Sequence, residues 1–283
     1  MLILEKLRTL ELEVAAAVDE LFEVARHNQV HENDILLVFL NASRLEEPDQ
    51  SYLRIGDGLI GLAYRTQYEF INEYRKPAVQ TEQDAKESGL RMQTFTVHLE
   101  MLVYLKFWES DLLIRQLYEL ALLCQGKDYE WDFEVPGFAR EGSKQDIIRS
   151  EIRDALNVVA PKFSNLIRGC YSTQLRNAFA HSQYYIVNDV ISFLNYSEKP
   201  EAHSPIPSLK FEEWSNYIHR TLLIHNELVR HLESIQKSYR EQAKKNGPVN
   251  VLVRGNTGTR YIQLVPDTRR RREWIFKNNM DKS

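Results

Sequence analysis

Apolar residues recur at helical spacing from the start of the chain. Leu7, Leu10, Val14, Ala17, Val18, Leu21 and Val24 fall on one stripe and predict a helix over residues 2–26. Asn33 and Asp34 can cap a second helix running to Leu40. Gly56 and Gly58 precede a third near residues 59–74, and Pro77 closes the block, so residues 1–80 read as a helical N-terminal extension. A long helical stretch follows over about residues 90–123 and ends at Gln125-Gly126, with Trp108, Glu109 and Asp111 near its middle. Residues 127–143 hold Pro136, Gly137 and Gly142 and read as a loop. Asp146 can cap the next helix, whose stripe is Ile148, Ile152, Ala155, Leu156 and Val159. Pro161 begins another, with Phe163, Leu166, Ile167, Cys170, Tyr171 and Ala178 on one face.

The period then shortens towards two. Residues 184–187 and 190–194 flank Asn188-Asp189 as a two-residue hairpin turn. A last long helix covers about residues 211–244 and is broken by Asn246-Gly247-Pro248. Beyond it, residues 249–254 and 259–265 flank Gly255-Asn256-Thr257-Gly258 as a second hairpin, followed by a run of arginines. The pattern predicts a mostly α protein. It has a helical extension (1–80), a helical domain with a short β-hairpin insert (81–245) and a small basic β-element (246–283).

Composition adds few constraints. With 283 residues, 43% hydrophobic and 27% charged, the chain can bury a core. Eleven glycines and nine prolines are few, which disfavours a β-sandwich or a glycine-rich phosphate fold. No apolar run approaches the ~20 residues of a membrane span, and Met1-Leu2-Ile3-Leu4-Glu5-Lys6 turns charged too early for a secretory signal. Cys124 and Cys170 make no disulfide framework, so a reduced cytoplasm is expected. Net charge is −4 but unevenly placed: from Lys237 onward twelve basic residues face four acidic ones, a local +8 that leaves −12 for residues 1–236. A basic tail on an acidic body suits a polyanion, and equally a solvated tail or one docked on its own body.

One segment carries chemistry: Arg176-Asn177-Ala178-Phe179-Ala180-His181-Ser182-Gln183-Tyr184. Histidine can take or give a proton near neutral pH. Arginine can hold a phosphate in a two-pronged fork and stabilise charge developing on it. Asparagine can orient the imidazole or a phosphate oxygen. If the helix from Phe163 runs unbroken, Asn177 and His181 share its apolar face, while Arg176 lies about 140° round from His181. One straight helix cannot aim both at one phosphate. Either the helix distorts at Ala180-His181, or a second copy supplies the missing group across a two-fold axis. The other reading makes Asn177 and His181 buried, hydrogen-bonded core groups. Spacing alone selects nothing, because Arg26…His31 and Arg220…His225 repeat it.

Context does select. The helix into Arg176-Asn177-x-x-x-His181, the Ser182-Gln183-Tyr184-Tyr185-Ile186 exit and the upstream Phe107-Trp108-Glu109-Ser110 resemble the HEPN superfamily over about residues 90–245. The resemblance implies a HEPN-like bundle of four to five helices, a homodimer, and metal-independent endoribonuclease chemistry in a toxin or anti-phage setting. Arg176 would then polarise the scissile phosphate, Asn177 would orient, and His181 would be general base or acid for attack by the ribose 2′-hydroxyl, leaving a cyclic phosphate. No cofactor is implied. An antitoxin or another defence protein is the implied partner. In the antitoxin-paired branch a modifiable tyrosine stands two residues after the histidine; here Gln183 stands there and Tyr184 follows. Some members are non-catalytic, so a dimeric interaction module is the alternative.

Further candidates surround the motif. Either Glu109 or Asp111 could pair with Arg176 or orient His181, although a solvated or capping carboxylate is the favoured reading. Ser182 and Tyr184 complete the supporting set, and Tyr184 or Tyr185 could stack on a base unless they join the core. Arg269, Arg270, Arg271 and Arg272 could contact RNA phosphates, or end a solvated tail. His219, His225 and His231 step by six onto different helix faces, and no residue set suggests a metal site.

Overall fold

The structure, a computed structural model, describes residues 4–40, 82–131, 133–135, 143–198, 205–255, 258–266 and 274–278. The helix expected near residues 59–74 and the four consecutive arginines lie outside the described residues. What is described is mostly helical, with two small antiparallel sheets of three strands each. The chain divides into two compact units, one of Met1–Leu12, Gln50–Ser110 and Arg168–Leu223, the other of Glu13–Asp49, Asp111–Ile167 and Ile224–Ser283.

The first helix, α1, is Leu4–Asn28. Its expected stripe is the buried one: Leu10, Val14, Ala17, Val18 and Leu21 are inside, joined by Phe22 and Ala25. Helix α2 is Asp34–Leu40. Its entry differs from the expected Asn33 cap. Asn33 adopts φ +76° and spends its amide on the Asn250 carbonyl (2.9 Å), while the Gln29 side chain accepts from the Ile35 N–H (3.0 Å).

The long helix expected over residues 90–123 is two helices, α3 (Glu82–Trp108) and α4 (Asp111–Cys124). The Ser110 N–H turns back to the Phe107 carbonyl, a three-residue bond that tightens and ends α3. Asp111 then places a carboxylate in the first turn of α4, where the helix dipole favours it.

After the loop come α5 (Ser143–Asp146), a π-helical stretch (Ile147–Asp154) and α6 (Leu156–Val159). Asp146 is not a cap: it is already helical, and its carboxylate accepts from Arg149 Nη2 at 2.9 Å. Ile148 and Ile152 in this stretch, and Leu156 and Ala160 after it, are all buried.

Helix α7 (Pro161–Cys170) and α8 (Thr173–Ala180) replace the single helix expected from Phe163. Strands β1 (Tyr184–Val187) and β2 (Val190–Phe193) form the expected hairpin, with Asn188 at φ +54° in its turn. A third strand, β3 (Ser208–Lys210), pairs with β2 and leads into α9 (Phe211–Asn246). Beyond Gly247-Pro248, β4 (Val249–Gly255) and β5 (Gly258–Pro266) form the second hairpin, and β6 (Trp274–Asn278) adds to β5.

An aromatic cluster centres the first unit. Tyr104, fully buried, makes edge contacts with Trp108, Phe179 and Trp214 at centroid distances of 6.4, 5.9 and 5.4 Å. Trp214 donates to Glu100 Oε2 (2.8 Å), whose carboxyl burial raises to about pKa 7. In the second unit, Glu119 is buried with one oxygen on the Glu130 N–H (3.1 Å) and Oε1 without a hydrogen-bond partner among the described residues, and burial pushes its pKa up to about 8. Both cysteines are buried thiols, and burial holds the Cys124 thiol at about pKa 12. Among the described residues no helix is long and apolar enough to cross a membrane.

Candidate active site

Helix α8 carries the motif, and three local devices define it. At its start, Ser172 is extended (φ −135°, ψ 122°) and its hydroxyl accepts from the Leu175 N–H, a serine N-cap. At the joint with α7, the Tyr104 hydroxyl donates to the Cys170 carbonyl (3.1 Å) and accepts from the Ser172 N–H (3.0 Å). Both backbone groups freed by the break are thereby satisfied inside the aromatic cluster. At its end, Gln183 N–H reaches the Ala178 carbonyl (2.8 Å) and Ser182 N–H the Phe179 carbonyl (3.5 Å), the bond pattern of a Schellman stop. Ser182 occupies the left-handed position at φ +53°, where glycine is usual.

These devices correct the expected helix phase. His181 is the C-cap (φ −107°, ψ 10°) and is exposed; it does not lie on a buried apolar stripe. The buried face of α8 is Gln174, Leu175, Ala178 and Phe179. Of the two arrangements that the phase argument left open, the helix stops at Ala180. Asn177 is half-buried, and its carbonyl accepts from His181 N–H (3.0 Å).

Arg176 meets Glu109: its Nε donates to Glu109 Oε1. The side chains are 15% and 33% exposed, so this pair is largely withdrawn from water. Glu109 follows directly on α3, where the helix dipole disfavours an anion, and the guanidinium compensates. Arg176 Nη1 is buried and has no hydrogen-bond partner among the described residues. The two upstream carboxylates therefore part company. Glu109 does what the less favoured reading asked of it, whereas Asp111 pairs with Lys144 Nζ at 2.6 Å.

The two exit tyrosines also part. Tyr184 packs its ring edge-on to Phe179 (5.5 Å) and obliquely to His98 (5.9 Å), and burial raises its phenol pKa. Tyr185 is 51% exposed. Ser182 is exposed beside His181. Arg269, Arg270, Arg271 and Arg272 lie outside the described residues.

The decoy pairs have other engagements. His31 meets Asp128 at 2.9 Å, and Arg220 Nη1 donates to the Gly169 carbonyl at 3.4 Å. The helix histidines have separate surroundings: His219 faces the Ser215 carbonyl (2.6 Å), and His231 faces Asp19 (2.7 Å) and stacks on Phe22. Among the described residues no group of three or more His, Cys, Asp or Glu side chains could hold a metal ion. Sequence reasoning missed Tyr104 and Ser172. For Ser172 a signal existed, since serine just before Thr173-Gln174-Leu175 is a cap residue followed by a helix.

No protein-family model matches this chain, and no curated protein or solved structure matches it either.

Proposed function

We propose that the protein is a metal-independent endoribonuclease of HEPN type, with Arg176 and His181 as its catalytic pair. The observation that supports this reading most is the placement of the two groups on one short, capped helix. His181 presents its imidazole to solvent at the helix end, and Arg176, five residues earlier, has a buried guanidinium nitrogen without a hydrogen-bond partner among the described residues. An exposed histidine at a helix terminus is free to exchange protons with a substrate, which a core histidine is not.

In the proposed reaction Arg176 binds a non-bridging oxygen of the scissile phosphate and stabilises the charge that grows on it. A ribose 2′-hydroxyl attacks the phosphorus and gives up its proton to a general base. The bond to the 5′-oxygen breaks, and that oxygen takes a proton. The products are a 2′,3′-cyclic phosphate and a 5′-hydroxyl. His181 performs one of the two proton transfers, and Asn177 orients. A homodimer of the kind implied by the resemblance would bring a second His181 to supply the other transfer. A toxin or anti-phage role belongs to the same proposal.

The alternative is a non-catalytic dimeric interaction module that partners another defence protein. One observation favours it: Arg176 is mostly buried and already occupied by Glu109, as a purely structural arginine would be. Incubation of the purified protein with RNA in EDTA separates the readings. The nuclease cleaves, His181→Ala abolishes cleavage while melting like the parent, and the products carry cyclic phosphate ends. Intact RNA with the parent protein, or cleavage undiminished in a folded His181→Ala, decides for the module.

A further inference from the structure

We infer that the outward face of the β1–β2–β3 sheet is a binding subsite for single-stranded RNA that continues from His181. This inference rests on the nuclease reading and adds where the flanking nucleotides lie.

The register sorts the side chains of this sheet into two faces. Tyr184 pairs with Phe193 and Ile186 with Ile191, which in turn pairs with Leu209. Ile191, Phe193 and Leu209 are buried, so this is the inner face. The alternate positions form two rows on the other side. Tyr185 pairs with Ser192 and Ser192 with Ser208; Val187 pairs with Val190 and Val190 with Lys210. Successive strand residues point to opposite faces, so these six belong together. Tyr185 and Val187 are 51% and 54% exposed, and Ser208 and Lys210 are exposed. The outer face thus offers an aromatic ring, two hydroxyls and an ammonium group. That is the chemistry a single strand needs: a ring for a base to stack on, donors for sugar and phosphate, and positive charge for the backbone.

Three contacts tie the sheet to the motif helix. The Gln174 side chain clasps Ile206, donating to its carbonyl (2.7 Å) and accepting from its N–H (2.9 Å). The Leu194 N–H donates to the Gln183 carbonyl (2.9 Å), and Phe179 meets Phe193 at 6.1 Å. His181 and Tyr185 are four residues apart, a chain reach of at most about 14 Å. A strand whose phosphate lies at His181 therefore has flanking bases within range of Tyr185. Of the carboxylates nearby, Glu213 accepts from the Lys210 backbone N–H (2.7 Å), Glu212 pairs with Lys6 (2.7 Å) and also feels the Lys210 charge, and Asp189 is exposed in the β1–β2 turn.

The test uses the full chain carrying His181→Ala, so that bound RNA stays intact. A labelled single-stranded oligoribonucleotide is titrated by anisotropy, alongside the same strand with abasic sites. Adding Tyr185→Ala should weaken binding of the normal strand by about 5- to 150-fold, the range of one lost stacked base. Tyr185→Phe should bind like the parent, because it keeps the ring. On the abasic strand Tyr185→Ala and its parent should differ little. Lys210→Gln should lower the log–log salt slope by about 0.7. Unchanged binding in Tyr185→Ala, or an equal loss on the abasic strand, overturns the subsite. So does conversion of a dimer to a monomer by Tyr185→Ala in light scattering, which would assign the face to a second copy. If His181-dependent cleavage persists in any of these cases, the nuclease reading stands while the subsite falls. If the parent binds no RNA at all and cleaves none, both fall.

Discussion

Removing the charge of Glu109 should destabilise the protein more than removing Arg176, although the two form one ion pair. Breaking a fully buried pair by deleting one partner costs about 3–5 kcal/mol, and an exposed pair is worth about 0–1 kcal/mol. With exposures of 15% for Arg176 and 33% for Glu109, this pair lies between the limits, and a coupling of about 1–2 kcal/mol is expected. The single-variant costs are unequal because the survivors differ. Glu109→Ala leaves the more buried group charged, with Nε newly unpaired beside Nη1, which already lacks a partner among the described residues. That should cost about 2–3 kcal/mol. Arg176→Ala leaves a carboxylate one-third exposed that water can reach, at about 1 kcal/mol. Glu109→Gln keeps an acceptor and should recover part of the loss. Urea unfolding of both single variants and the double variant, followed by tryptophan fluorescence, gives all three numbers. A coupling below about 0.5 kcal/mol, or a larger loss in Arg176→Ala than in Glu109→Ala, would refute the reasoning.

Burial raises the pKa of Glu119 to about 8 in the folded protein from an ordinary value near 4.5. The folded state then holds more protons than the unfolded state between those pH values, so stability falls as pH rises through that window. Glu119→Gln should flatten this slope, and at pH 8 it should be more stable than the parent by a few kcal/mol in urea titrations; an unchanged pH slope counts against it. Tyr104→Phe keeps the ring and loses the two-sided hydroxyl at the α7–α8 joint, and should lower stability by about 1–3 kcal/mol. A urea midpoint like the parent's would remove the hydroxyl from the account of that joint. Ser182→Gly relieves a left-handed serine worth about 1–2 kcal/mol against a glycine entropy cost of about 0.5–1 kcal/mol. A gain of up to about 1 kcal/mol is expected, and a lower urea midpoint would show that the serine side chain contributes more than its backbone costs.

How far the elements were legible follows from how local their causes are. The stripe of α1, the Asn188-Asp189 turn and the Gly247-Pro248 stop announce themselves within a few residues, and all three stand where the pattern put them. Helix breaks were harder. Apolar spacing runs on through Glu109-Ser110 and through Tyr171-Ser172, and nothing as strong as proline interrupts it. The break at Tyr171-Ser172 is set by a serine cap and by a tyrosine hydroxyl from 68 residues away, the second of which no local window contains. The third strands failed for a different reason. Ser208–Lys210 and Trp274–Asn278 are short, and their identity comes from the neighbour they pair with.

The candidate site shows the consequence of those breaks for chemistry. Arg176 and His181 were legible as residue types, but their directions depended on whether one helix ran from Phe163 through His181. The serine cap restarts the helix at Thr173, and the stop at Ala180 leaves only eight residues between. The result separates the two groups' environments. Arg176 falls inside the helix and turns to Glu109, at a helix end that itself exists only because α3 breaks there. His181 falls just beyond the last turn, outside the apolar face, where its ring is open to solvent. A single uninterrupted helix would have put the histidine on the apolar face. With the break and the stop in place, the imidazole is exposed, while the guanidinium is braced by Glu109 and largely withdrawn from water. In the proposed nuclease reading a dimer would supply the second proton transfer, and light scattering together with the dilution dependence of cleavage tests that arrangement directly. A monomer at micromolar concentration that cleaves at a rate per molecule independent of dilution would place both transfers within one chain.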